Sequence, residues 1–248
     1  MGSMLARAFT VALGCLAVIW GAVTLPVFWR ETVRDETAVL IVQGHRYATP
    51  VLAEEISKFE STRQDFCRAP ALRSAAMVRL KLVENALEEA DRVSIDQRMA
   101  ELKRGITDLF ACDPTDSFFW LVYYWTNLTT DGFNPDLLKF LRMSYQQGPN
   151  EGWIAIKRNR LALAIFSQLT PELSNLALEE FVGLVRSGFI EDAASILTGP
   201  GWSIREDLLS RLVSVPLAER ERLALTLRNE GHDVVVPGVA AAPRQFFN

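Results

Sequence analysis

TDLFACDPTDSFFWL (107–121) and RMSYQQGPNEGWIAI (142–156) are two versions of one pattern. At an offset of 35 residues, Phe110 meets Tyr145, Pro114 meets Pro149 and Asp116 meets Glu151. Phe118 then meets Trp153, and Leu121 meets Ile156. Each proline ends a helix, because it lacks an amide hydrogen and its ring clashes with the preceding turn. Each acid falls in the first turn of the next helix, near the positive end of the dipole. Each aromatic opens that helix's inner face. A fixed period of this length marks helix–turn–helix units that bury their faces on one another.

Outward from these copies the chain stays helical. Thr49 with Pro50 at the first helical position opens a helix, and a second covers about 70–90. In the second, Leu72, Ala76, Leu80, Val83 and Leu87 recur at three- and four-residue spacing. Ser94 or Asp96 opens the next, and Asp113-Pro114 breaks it. Helices follow over 116–130, 136–147, 151–169 and 172–187, punctuated by Asp131-Gly132, Asn134-Pro135, Gly148-Pro149 and Thr170-Pro171. Shorter ones lie near 190–197, 204–213 and 217–230. Residues 30–43 read either as a helix ending at Gly44 or as a short strand over Ala38–Val42. Strand patterns are otherwise nearly absent. The fold class is all-α, an antiparallel array of helical hairpins.

Over about 90–169, the period and the residues at the turn resemble the tetratricopeptide-repeat family. The pattern is degenerate. Small residues at the close helix crossing are only partly present (Ala111, Ser144), and Tyr123-Tyr124-Trp125 replaces a Leu-Gly pair. The phrase LRMSYQQGPNEGWIAIKRNRLAL (141–163), with PNEGWIA and Arg158, is also similar to small membrane-anchored helical proteins of bacterial exopolysaccharide and O-antigen clusters. That resemblance implies an accessory role in surface-polysaccharide polymerisation or export. It implies no activity for any residue.

The membrane part of that resemblance has its own signal. No charge occurs in the 22 residues from Ala8 to Trp29, AFTVALGCLAVIWGAVTLPVFW. That length crosses a hydrocarbon core of about 30 Å as a helix. The run is too long, and its end too bulky, for a cleaved signal peptide. It also lacks the polar face of a core helix. Phe28 and Trp29 at one end suit the lipid–water interface, and Pro26 falls in the last turn. Arg7 precedes the run, while Arg30, Glu31, Arg34 and Asp35 follow it, so Lys/Arg bias barely orients it. A very short N-terminal tail normally stays in the cytoplasm. The expectation is therefore a single-pass inner-membrane protein with residues 30–248 in the periplasm. The domains are drawn as an anchor at 1–29, a connector at 30–49, a helical domain at 50–232 and a flexible tail at 233–248.

With 26 basic and 30 acidic residues, the net charge is −4 and no basic surface for nucleic acid is indicated. Cys15 lies in the apolar run as a small packing residue. Cys67 and Cys112 pair as a disulfide if the domain is periplasmic, or stay buried thiols if it is cytosolic. His45 and His232 are the only histidines and stand far apart, and there is no C-x-x-C, so no metal site is expected. No phosphate-cradling glycine loop, G-x-S-x-G or H-E-x-x-H occurs. No catalytic residue, cofactor or carboxylate pair for glycoside chemistry is nominated. Asn127-Leu128-Thr129 matches a glycosylation triplet of a kind common by chance.

The aromatic cluster Phe118, Phe119, Trp120, Tyr123, Tyr124 and Trp125 fits a central helix buried on both sides, or a groove that stacks sugars or peptides. Lys157, Arg158 and Arg160 form a solvated face or an anion clamp, with Arg158 suited to a bidentate grip on a carboxylate. Glu88, Glu89 and Asp91 close a helix where acid is unfavourable, and pair with Arg92. The candidate partner-binding residues are Trp120, Tyr124, Trp153, Lys157 and Arg158. The expected function is a non-enzymatic scaffold that docks an integral membrane protein. A periplasmic glycan-binding or glycan-processing protein is one alternative, and a structural subunit of a larger membrane complex is another.

Overall fold

In the computed structural model, residues 2–61 and 67–240 are described, with side chains for 9–25, 36–61 and 67–240. Among the described residues the structure is all-helical, with no strand. The helices are α1 Gly2–Val42, α2 Thr49–Ser61, α3 Ala69–Glu89, α4 Arg92–Cys112, α5 Ser117–Asp131 and α6 Leu138–Gln147. They continue as α7 Gly152–Ala164, α8 Pro171–Arg186, α9 Ile190–Thr198, α10 Arg205–Arg211 and α11 Leu217–Asn229, with single 3-10 turns between some of them. The chain divides into two compact units, Met1–Pro114 and Thr115–Asn248, where the sequence predicts one domain over 50–232. The division falls at the Asp113-Pro114 break.

In the first unit, α1 is one continuous helix through Val42, so the strand alternative over Ala38–Val42 is set aside. Gly44 stops it with φ +88°, a left-handed conformation that glycine adopts without strain. Ala38 is buried, and Ile41 packs on the cluster Leu52, Val78 and Leu82. Tyr47 joins that cluster, and Asn85 donates to the Tyr47 carbonyl (3.0 Å) and to Thr49 Oγ1 (3.2 Å). Phe59 seats on Ala71 and Ala75, so α2 runs back along α3. The buried Arg79 pairs with Glu60, and its guanidinium comes close to α4 at Gly105, where a Cβ would meet it at 2.8 Å. Neither Ser94 nor Asp96 opens α4. Ala90 turns the chain with φ 56°, and Asp91 caps the helix by accepting from the Val93 amide (3.2 Å) and the Ser94 hydroxyl (2.6 Å). Asp91 therefore begins a helix, where acid is favourable, rather than ending one. Hydrogen bonds from Ser94 hold the Asp91 carboxyl below the ordinary range.

Cys67 and Cys112 lie at disulfide distance, with Cα atoms 5.4 Å apart, joining the start of α3 to the end of α4. Earlier in α1 the picture differs. Phe9, Val11, Leu13, Leu16, Val18, Ile19, Trp20, Val23 and Leu25 are 50% to 71% exposed. Among the described residues, whose side chains cover only 9–25 of the apolar run, no helix is long and apolar enough to cross a membrane. The side chains of Phe28, Trp29, Pro26 and the flanking Arg7, Arg30, Glu31, Arg34 and Asp35 lie outside those described.

In the second unit α5, the 3-10 turn before α6 and α8 open on side-chain caps, with Asp116 just before α5 rather than in its first turn, and Glu151 stands likewise just before α7 but makes no cap bond. Asp116 accepts from the Phe119 amide (3.1 Å), Asn134 from Asp136 (3.0 Å) and Thr170 from Leu173 (3.3 Å). Consecutive helices pair, α5 with α6 and α7 with α8, and alternate ones touch: α5 with α7, α7 with α9, α9 with α11, α8 with α10. Residues one period apart meet across these layers. Phe118 and Trp153 have ring centroids 4.8 Å apart. Tyr145 donates to Glu180 (3.1 Å) and Arg160 to Ser195 (3.1 Å), each pair 35 residues apart. Of the stretch predicted as a tail, 233–240 is held down: Val236 is buried and Arg220 donates to the Pro237 carbonyl. Residues 241–248 lie outside the described residues.

Candidate functional site

The nominated residues separate into two sets. Tyr124 and Arg158 are 0% exposed and present nothing to a partner. Trp153 is 38% exposed and Lys157 is exposed, while Trp120 is half-buried. Helical geometry explains the split on α7. Ile154, Ala155, Arg158, Asn159 and Ala162 form one inward stripe, and Trp153, Lys157 and Arg160 occupy the other face.

Arg158 is the hub of a buried polar network. Its Nε and Nη2 donate to Glu180 Oε1 (2.9 and 2.6 Å). Nη1 donates to the Ser144 carbonyl (2.6 Å), and Nη2 to that of Gly148 (3.1 Å), the last backbone acceptors of α6. Its guanidinium lies 4.2 Å from the Tyr145 ring centroid. Glu180 also receives the Tyr145 hydroxyl (3.1 Å) and the Asn159 amide (3.4 Å). Asn159 donates in turn to the Ala177 carbonyl (2.7 Å). Burial pushes the Glu180 carboxyl above its ordinary range, against the pull of Arg158, Tyr145 and Asn159. Burial and the Glu180 carboxylate push the Tyr145 hydroxyl up as well. Gly148 permits the close approach here, since a Cβ on it would meet Ser117 at 2.6 Å. This arrangement locks α5, α6, α7 and α8 together. With every guanidinium nitrogen engaged inside the protein, it is not an anion clamp.

The aromatic cluster is mainly core. Phe118, Phe119 and Tyr124 are buried, and burial pushes the Tyr124 hydroxyl up to about 12. Its hydroxyl makes no hydrogen bond among the described residues. At the margin, Trp120 stacks on Phe140 (6.0 Å), Tyr123 meets the same ring edge-on (4.9 Å), and Lys139 sits 5.0 Å from it. Asn127 is buried and donates to the Tyr123 carbonyl, which removes it from glycosylation.

The surface that remains follows the α7 outer face and the start of α9. Trp153 at 38% exposure lies on the face of Lys157 and Arg160, and Gly152 abuts the Phe189 ring, itself 37% exposed. Arg160 bonds Ser195 and reaches Asp192 at 3.9 Å, tying α7 to α9. The result is an aromatic ledge with a basic edge. The first unit separately carries a polar cleft of about 190 Å³ lined by Arg46, Tyr47, Thr49, Lys81, Asn85 and Glu88. Lys81 is engaged there with Glu84 at 3.0 Å. Among the described residues no cluster of His, Cys, Asp or Glu is placed to hold a metal ion. No protein-family model, curated protein or solved structure matches the chain.

Proposed function

We propose that this chain is a membrane-anchored, non-enzymatic scaffold whose helical repeats dock an integral membrane partner. The observation that carries the reading is the unburied apolar length of α1. Nine large apolar side chains between Phe9 and Leu25 stand at least half exposed. Leaving that many in water costs on the order of 10 kcal/mol relative to burial. A bilayer around 8–29 removes that cost, and the uncharged run of 22 residues has the length to reach across it. Residues 30–248 then lie in the periplasm, where the Cys67–Cys112 pair is oxidised.

The spacing of 35 residues between contacting positions supports a tetratricopeptide-like stack in the second unit. Such stacks bind partners along the faces of their repeats. The ledge of Trp153, Lys157 and Phe189 is the docking face, and accessory work in surface-polysaccharide polymerisation or export is its setting. A photoreactive amino acid at Lys157, in cells expressing the full chain, tests this. Crosslinking to one integral membrane protein, lost when the probe is moved to Glu219 on α11, is expected. Adducts with soluble proteins alone, or with none, contradict it. Transfer of the probe to polysaccharide would instead favour direct glycan binding.

A further inference from the structure

The direction in which α1 enters the first unit fixes which end of that unit meets the membrane. Ile41 packs on the cluster that Leu52 of α2 forms with Val78 and Leu82 of α3, and α1 lies against α3. Six residues later the Tyr47 carbonyl is bonded by Asn85, nearer the end of α3. The chain therefore travels along α3 in the direction of α3 itself, and α2 returns the opposite way, bringing Phe59 to Ala71 and Ala75. Backwards along α1 thus means backwards along α3. The nine residues from Val78 to Ala69 span about 13 Å, and nine residues back from Ile41 on α1 is Thr32. Thr32 stands less than one helical turn beyond Trp29, where the apolar run stops. The start of α3 is level with that point. So is Cys112, held to Cys67 with 5.4 Å between Cα atoms.

We propose that the end of the first unit formed by Ser61, Cys67, Arg68 and Cys112 rests on the lipid headgroups, with Glu89 and the polar cleft at the far end. The inference rests on the anchoring reading above. α1 then acts as a stiff post rather than a flexible tether: it is one helix from Gly2 to Val42, it lies against α3, and its Ile41 is seated on the Leu52, Val78 and Leu82 cluster. The first unit stands at a set height and orientation, and the Cys67–Cys112 pair braces the end that bears on the bilayer.

Nitroxides carried on an unnatural amino acid at Ser61, Glu54 or Glu89 of the full chain test this in liposomes containing a gadolinium-headgroup lipid. Ser61 and Glu89 differ in height by about 30 Å, and Glu54 lies between them. Relaxation enhancement is expected to be several-fold stronger at Ser61 than at Glu89, with Glu54 intermediate. Equal or reversed enhancement in protein that floats with the liposomes overturns the orientation and leaves the anchor standing. Failure to float overturns the anchor and this inference with it.

Discussion

Each unit contains a buried arginine, and the two are compensated differently. Arg79 pairs with Glu60, whose side chain is 46% exposed, whereas Arg158 pairs with Glu180, whose side chain is 6% exposed. In the first unit the carboxylate keeps much of its hydration, and the Arg79 guanidinium lies over the Phe59 ring at 5.8 Å and close to Gly105. In the second, both ions have left water, and only a complete set of hydrogen bonds makes that tolerable. A buried pair of this kind holds helices in one register more than it adds net stability. The first unit ties its ends with a cysteine pair instead.

The comparison is broken most severely at Arg158. Arg158→Ala leaves Glu180 charged and buried, with a loss of about 4 kcal/mol in urea denaturation of the full chain in detergent. Replacing the pair together, Arg158→Met with Glu180→Leu, is expected to recover most of that loss. If the single and double variants are equally unstable, the network is not the register device described. Next in size is Cys67→Ser, which opens a link across 45 residues and costs about 3 kcal/mol under oxidising conditions. Under reducing conditions wild type and variant should converge. Arg79→Ala comes third at about 2 kcal/mol, because Glu60 regains water when its partner goes. A loss equal to that of Arg158→Ala would erase the distinction between the units.

The smallest effect is in the response to acid. Burial raises Glu180, so between 4.5 and its folded value the native chain keeps a proton that the unfolded chain has released. Its contribution to stability is greatest below pH 4.5 and falls as pH rises through that window. Glu101, in the first unit, runs the other way. Burial would raise it, but hydrogen bonds from Gln97 and Arg98 outweigh that and hold it below 4.5. Its contribution is present above pH 4.5 and is lost as pH falls below it. In melting curves collected across pH, Glu180→Gln should remove a decline towards neutral pH, and Glu101→Gln a decline towards acid.

Much of the helical order was legible because its punctuation is chemical. Asn134-Pro135 and Thr170-Pro171 start helices where the sequence places them, while Asp116, read as a first-turn acid, caps α5 from the position just before it. Asp91 was not legible as a cap: with Glu88 and Glu89 it reads as an acidic helix end, and the left-handed Ala90 that separates the two helices carries no sequence signal. Arg158 misleads for a different reason. In Lys157-Arg158-Asn159-Arg160 the local composition says solvent, but Ile154, Ala155 and Ala162 place Arg158 and Asn159 on the apolar stripe. Glu180 sits likewise among Ala177, Phe181 and Leu184. A charged residue on each of two facing apolar stripes was the available clue to the pair. The division at Pro114 had no such clue, since its turn resembles that at Pro149 inside the second unit.

Everything assigned to the docking ledge depends on α1 lying in a bilayer. Alkaline carbonate extraction of native membranes containing the full chain tests that most directly. The wild-type chain should remain with the membrane pellet, and Leu16→Asp with Ile19→Asp should release it. Wild-type protein in the supernatant would contradict the anchor and the scaffold built upon it.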